Sequence, residues 1–225
     1  MNDAEKAIEM EEHFLARMKR DMLRRQLKGR GIVDPRVLDA MERVPRERFV
    51  PTELIDEAYA DRALCIGCGQ TISQPFMVAM MTEALELEGG ETVLEIGTGC
   101  GYQTAVLAEL VPEVLSIERL DPLAKQSWQT LEALGYRNVT IRTGDGTLGW
   151  PERAPFARII VTAMAADCPP ALFEQLAEGG ILVIPLGGRE SQNLQAIRKV
   201  NGRMISTSLS GCRFVPLIGE QGWPN

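Results

Sequence analysis

Seven residues, Glu95-Ile96-Gly97-Thr98-Gly99-Cys100-Gly101, are the first in this sequence whose types and spacing suit chemistry. Glycines at such a turn permit a tight bend and close approach of backbone to ligand. A helix starting there offers unpaired N–H groups to an anion. The same turn can serve only to pack a helix on its strand, so its companions decide. Glu118 follows at the spacing where a carboxylate accepts both hydroxyls of a ribose. Gly144-Asp145-Gly146 follows a third apolar run, and an Asp there can accept from an adenine amino group. The set points to an adenosine-bearing ligand. Its glycines fall as G-x-G-x-G, not as the G-x-G-x-x-G that cradles a pyrophosphate. Glu95, just before the first glycine, suits a cationic cofactor better than a doubly anionic one. S-adenosylmethionine carries a sulfonium, a carboxylate, a ribose and an adenine, and each finds a partner here. NAD is the alternative.

Other chemistries are excluded by composition. The 225 residues include one histidine, His13, in a charged segment that reads as a solvated helix. A Ser-His-Asp triad, a Cys-His dyad or a multi-histidine metal site would each depend on it. Five cysteines and no apolar leader imply free thiols in a cytoplasmic protein. Cys65-Ile66-Gly67-Cys68 is a C-x-x-C, yet Cys100, Cys168 and Cys212 are scattered and supply no second pair, so no metal is expected. The net charge of −7 argues against a general nucleic-acid binder. Residues 17–48 nonetheless hold eleven Lys or Arg against five Asp or Glu, which reads as the wet face of a helix or as a docking surface for an acidic ligand.

A longer motif carries a family resemblance. Ala63-Leu64-Cys65-Ile66-Gly67-Cys68-Gly69-Gln70-Thr71-Ile72-Ser73-Gln74-Pro75 resembles the signature of the protein-L-isoaspartate O-methyltransferases. Val93–Tyr102 resembles that family's first cofactor motif and Gly144-Asp145-Gly146 its third-strand turn. Pro185-Leu186-Gly187 and Arg213-Phe214-Val215-Pro216-Leu217 resemble its bacterial members. The likeness runs from about residue 20 to the end. Cys65 and Cys68 depart from the usual Pro and Tyr, and Met164-Ala165-Ala166-Asp167-Cys168-Pro169-Pro170 from an alanine- and proline-rich loop.

The resemblance implies methyl transfer from S-adenosylmethionine to the free α-carboxylate of isoaspartyl residues, with S-adenosylhomocysteine as product. It implies Ser73 as the active-site residue. Cofactor contacts would fall to Thr71, Ile72, Ser73, Gln74, Glu95, Gly97, Gly99, Gly101, Tyr102, Glu118, Arg119, Asp145, Gly146 and Thr162. Gln74, Val215, Pro216 and Leu217 would meet the peptide. The expected partners are isoaspartyl-containing peptides and proteins, not nucleic acid or membrane, and the expected state is a monomer. A carboxyl group with a pKa of roughly 4 is already ionised at neutral pH, so no general base is needed. By residue type alone, Ser73 reads instead as a cap for a helix starting near Pro75. Two other functions stay open: an enzyme of the same fold that esterifies one dedicated peptide, and a nucleotide-binding module without catalysis.

The elements that must position these residues follow from periodicity. Phe14, Leu15, Met18, Met22 and Leu23 recur at helical spacing, with Gly29 and Gly31 beyond them. Asp34-Pro35 opens a second helix that ends before Pro45. Apolar runs at 92–96, 114–118, 139–142, 158–162 and 181–184 alternate with helices at 102–110, 121–134 and about 170–178. That alternation predicts a doubly wound, mostly parallel α/β sheet covered on both faces, and the resemblance implies that it is of the Rossmann-like methyltransferase type. Antiparallel strands are expected at 194–200, 204–209 and 212–217. The whole forms one domain: a helical N-terminal extension (1–60), an active-site loop and helix (61–90), and an α/β core (91–225).

Overall fold

Short runs of Val, Leu and Ile, buried on both faces, build the centre of the molecule. The computed structural model describes residues 3–224. The strands β3 (Thr92–Ile96), β4 (Glu113–Glu118), β5 (Val139–Thr143), β6 (Phe156–Val161) and β7 (Leu176–Gly187) are parallel; β8 (Gln192–Val200) runs antiparallel to β7, and β9 (Arg203–Cys212) antiparallel to β8. Their order across the sheet is β5-β4-β3-β6-β7-β8-β9. The chain therefore winds outward from β3 in one direction and from β6 in the other. Side chains alternate between two apolar layers. Val93, Val114, Ile160 and Val183 enter one layer, and Leu94, Leu115, Ile159 and Leu182 the other.

Helices α4 (Tyr102–Ala108) and α5 (Asp121–Ala133) connect the first strands. The last helix, α6 (Pro170–Gln175), is shorter than its apolar pattern suggests, because β7 already begins at Leu176. Lys199 from β8 donates to the carbonyls of Phe173 (3.2 Å), Glu174 (3.1 Å) and Leu176 (2.8 Å), a cation closing the helix's negative end. The β8–β9 hairpin turns at Asn201-Gly202, both at positive φ (52° and 70°), the pair that a two-residue hairpin loop favours.

Two expectations are corrected. Residues 213–217, expected with Cys212 to form a further strand, form no strand of the sheet. β9 ends at Cys212, and Pro216, which has no N–H to donate, meets only Met164 in an isolated bridge. The segment around Cys65 and Cys68, read as part of a loop, is an antiparallel hairpin of β1 (Leu64–Gly67) and β2 (Gln70–Ile72).

The N-terminal part opens with α1 (Asp3–Asp21), whose chain continues through a π-helical turn (Met22–Leu27) and a 3-10 turn (Lys28–Arg30) to Gly31 at φ +98°. Helix α2 (Pro35–Arg43) starts as its sequence suggests: the Asp34 carboxylate accepts from Arg36 N at 2.8 Å. This part shares a core with the sheet. Met22, Leu27, Met41 and Phe49 lie in one buried cluster with α3 (Pro75–Ala84) and α4. Phe49 meets the Tyr102 ring edge-on, with centroids 5.6 Å apart. We expect Phe49→Ala to cost about 3–5 kcal/mol, within one cooperative unfolding transition followed by both far-UV and Trp signals. Separate melting of the N-terminal part would contradict a shared core.

Candidate active site

A cleft of about 830 Å³ opens over the carboxyl ends of β3, β4 and β6, where the winding direction reverses. Gly97 and Gly99 form its floor, and Thr71, Ile72 and Ser73 of the hairpin exit form one wall. Tyr102, Glu118, Arg119, Gly146 and Thr162 line it further, and Val215, Pro216 and Leu217 of the C-terminal segment border it.

The glycine turn is held by bonds that only its backbone can make. Gly97 N donates to Ile117 O (2.8 Å), and the Thr162 hydroxyl donates to Gly97 O (2.6 Å). Gly97 sits at φ +96°, and an added Cβ would collide with Thr162 Oγ1. Glycine is therefore needed here for the approach of β6 as well as for any ligand. Gly101 lines no part of the cleft. At φ +91° it precedes α4, pressed against Ser127 and Leu131 of α5.

Glu118, at the end of β4 and 6% exposed, accepts from Gly99 N (Oε2, 2.9 Å) and Leu120 N (Oε1, 2.9 Å). These bonds fix the carboxylate at the cleft wall, and each oxygen retains a lone pair for a hydroxyl. Asp145 behaves differently. Gly146 lines the cleft, but the Asp145 carboxylate does not. Its Oδ1 accepts from Thr147 N (2.9 Å) and Thr147 Oγ1 (2.7 Å), and its Oδ2 from Glu220 N (2.7 Å). These hydrogen bonds, helped by the nearby Arg119 charge, outweigh partial burial and hold the carboxyl below its ordinary pKa. Thr147 Oγ1 also accepts from Gln221 N (3.1 Å). Asp145 and Thr147 thus latch the C-terminal segment against the loop after β5.

Glu95 departs furthest from expectation. Alternation along β3 puts it on the same face as Val93, beneath α4, fully buried and outside the cleft lining. Its Oε2 accepts from Thr104 Oγ1 (2.5 Å) and Ser116 Oγ (2.6 Å), and Ser116 bonds the cleft-lining Thr98 at 2.6 Å. Oε1 has no partner among the described residues. Burial pushes the carboxyl up to about 8, against the two hydroxyl bonds that favour its ionised form, with the neighbouring Glu118 charge adding to the rise. Burial thus favours the neutral form of Glu95, which supports the turn from below and does not line the cleft.

Gln74 is also turned aside. Its Nε2 donates to Asp61 Oδ1 (2.6 Å) and Asp61 O (3.2 Å), and it does not line the cleft. Gln74 precedes α3, whose start has no side-chain cap, so Ser73 does not take the capping role. His13 is exposed on α1 and lines no part of the cleft. Among the described residues, no three His, Cys, Asp or Glu side chains are grouped to hold a metal ion. Several wall residues went unnoticed in the sequence: Gln70, Val78, Thr98, Cys100, Gln103, Leu120, Ala163 and Ile218. Gln70 and Cys100 lie inside quoted motifs, and motif membership was the available signal. Val78 and Gln103 carried none, because only packing of α3 against α4 brings them there.

Three outcomes follow from these bonds. The unfolded Glu95 carboxyl ionises near 4.5 and the folded one near 8. Its contribution to stability is therefore complete below the first value and is lost as pH rises to the second. Glu95→Gln should gain on the wild type progressively across that window in urea midpoints; a pH-independent difference would contradict a neutral Glu95. Glu118→Ala should weaken S-adenosylhomocysteine binding roughly tenfold or more by calorimetry. Asp145→Ala should speed hydrogen exchange at the Glu220 amide, and unchanged exchange there would remove the latch.

Comparison with known proteins bears on the whole of this arrangement. Residues 17–222 match the family model described as protein-L-isoaspartate(D-aspartate) O-methyltransferase. A protein-L-isoaspartate O-methyltransferase of Dictyoglomus turgidum is 56% identical over 205 residues, covering 91% of this chain and 93% of its own. One of Syntrophus aciditrophicus is 54% identical, covering 90% and 94%. Among solved structures, a protein-L-isoaspartate O-methyltransferase superposes with a TM-score of 0.81 at 29% identity, covering 91% of this chain and 67% of that one. A Plasmodium falciparum protein described as a candidate member, solved with S-adenosyl-L-homocysteine, gives a TM-score of 0.77 at 29% identity, covering 88% and 97%. Matched by the family model over nearly its full length, and more than half identical to these bacterial relatives, the chain belongs to the protein-L-isoaspartate(D-aspartate) O-methyltransferase family.

Proposed function

We propose that this protein, by family an S-adenosylmethionine-dependent protein-L-isoaspartate O-methyltransferase, esterifies isoaspartyl α-carboxylates in damaged proteins, with Ser73 orienting the carboxylate. One observation carries the role of Ser73: it lines the cleft opposite the Gly97–Gly99 turn, on a loop whose neighbouring helix start it does not cap. The cleft suits the cofactor. Glu118 offers acceptors for ribose hydroxyls, Gly97 and Gly99 leave backbone bare, and Ile117 and Leu120 supply apolar wall for an adenine. When bound, S-adenosylmethionine supplies a methyl group on a sulfonium, an electrophile for an oxygen nucleophile.

The chain's own residues then have a limited task. The substrate carboxylate is ionised at neutral pH, so no side chain must remove a proton. The Ser73 hydroxyl can donate to one carboxylate oxygen, directing the other, and the cleft strips water from it. The C-terminal segment holds the peptide from the other side. Met164 N donates to Val215 O (2.8 Å) and Leu217 N to Met164 O (2.7 Å), which commits that edge. The opposite edge retains the Pro216 carbonyl and no N–H, an acceptor for a peptide amide. A methyl ester carries methoxide, a far better leaving group than the oxide of a carboxylate. Attack by the following backbone nitrogen on the ester carbonyl then expels methanol and closes a succinimide, whose hydrolysis can restore the normal linkage.

Labelled methyl transfer to matched isoaspartyl and aspartyl peptides tests the reading, and only the isoaspartyl peptide should be labelled. Ser73→Ala should lower single-turnover methylation about tenfold or more, with S-adenosylhomocysteine affinity and melting temperature nearly unchanged. Wild-type turnover with a lowered melting temperature would return Ser73 to a structural role.

A further inference from the structure

Arg46 is the largest fully buried side chain among the described residues, and the functional reading leaves it without a task. It follows Pro45 in a short 3-10 turn (Arg46–Phe49), far in sequence from the cleft motifs. Its guanidinium is shared between two backbone carbonyls. Nε donates to Ala58 O (2.6 Å) and Nη2 to Ser73 O (2.7 Å). The Tyr102 ring lies beneath it at 4.6 Å, a cation–π contact, and Nη1 has no acceptor among the described residues. The ionisable groups that act most strongly on it are Tyr102, Cys100 and Tyr59; Glu47 is engaged by the Tyr59 hydroxyl, and no carboxylate is hydrogen-bonded to the guanidinium among the described residues.

A buried cation without a carboxylate partner is costly, and an apolar side chain of similar volume often packs as well or better. Core packing therefore does not explain an arginine here. Its contacts do. Charge-assisted bonds to carbonyls are about twice as strong as neutral ones, and one of the two lands on Ser73. The planar fork reaches both carbonyls at once, which the single ammonium of lysine cannot do with the same geometry. Ser73 leaves β2 just before α3, and the start of α3 has no side-chain cap to fix the backbone at this point.

We infer that Arg46 is a positioning residue for methyl transfer: by pinning the Ser73 carbonyl to the Ala58 turn and the Tyr102 face, it fixes the angle at which the Ser73 hydroxyl meets the substrate carboxylate. The inference rests on the orienting role proposed for Ser73. It assigns the N-terminal extension a part in catalysis, through a side chain that never touches substrate.

The test is a double-mutant cycle on the full chain, using an isoaspartyl peptide and S-adenosylmethionine. Wild type, Arg46→Met, Arg46→Lys, Ser73→Ala and Arg46→Met with Ser73→Ala are compared for kcat, KM, S-adenosylhomocysteine affinity by calorimetry, and melting temperature. Arg46→Met should lower kcat about tenfold or more with cofactor-product affinity within about threefold of wild type, and Arg46→Lys should recover part of the loss. In the Ser73→Ala background the same substitution should cost less than about twofold, because the hydroxyl it aims is gone. Equal losses in both backgrounds, or losses of turnover and cofactor-product affinity in proportion, would overturn the inference. If Arg46→Met does not fold, Arg46→Lys takes its place in the same cycle. Wild-type turnover by Ser73→Ala would instead remove the role assigned to Ser73, and the inference with it.

Discussion

The reversal of winding between β3 and β6 is the constraint on which the rest of this structure depends. Adjacent parallel strands whose connections leave in opposite directions open a crevice at their carboxyl ends, because no helix crosses there. The crevice stays narrow because Thr162, just beyond β6, bonds back to Ile96 O and Gly97 O. That approach demands a residue without Cβ at Gly97 and a left-handed backbone, so one glycine closes the strand pair and bares the cleft floor together.

Polar groups buried around the crevice support it in two ways. Below the glycine turn, Glu95, Thr104, Ser116 and Thr98 form a hydrogen-bonded chain ending at the cleft wall. Burial favours the neutral form of its acid, which avoids burying a charge. Behind the opposite wall, Arg46 keeps its charge and spends it on carbonyls. A neutral acid can be held by hydroxyls alone, whereas a guanidinium needs acceptors, and backbone carbonyls at loop ends supply them. The result is a cleft whose floor and hairpin wall are fixed by side chains that do not line it.

The C-terminal segment completes the site by a different means. Beyond β9 the chain leaves the sheet, pairs with Met164, and is latched at Glu220 and Gln221 by Asp145 and Thr147. Gly219 and Gly222 pack where a side chain would strike Asp145, Thr147 or Leu217. The rim is thus tied to the loop carrying Gly146, so that the walls proposed for cofactor and for peptide share one set of bonds.

The parallel core, the antiparallel C-terminal hairpin and the helical N-terminal extension were legible in the sequence. Buried strands read as unbroken apolar runs, and caps such as Asp34-Pro35 act within one turn of chain. The glycine turn and Glu118, which the fold brings into one cleft, were legible from local spacing, and the place of Ser73 beside them from the resemblance of its motif. What the sequence could not carry was direction. Strand alternation sends Glu95 beneath α4 instead of into the cleft, although it adjoins the first glycine. The latch of Asp145 onto Glu220 joins residues 75 positions apart, and Arg46 reaches Ser73 across 27. The short β1–β2 hairpin was hidden by glycines and cysteines that do not favour strands. Residue types and short spacings determined which chemistry this chain could perform. Only the packing of α2, α3 and α4 on the sheet, through contacts distant in sequence, decided which side chains face the cleft and which hold it in place.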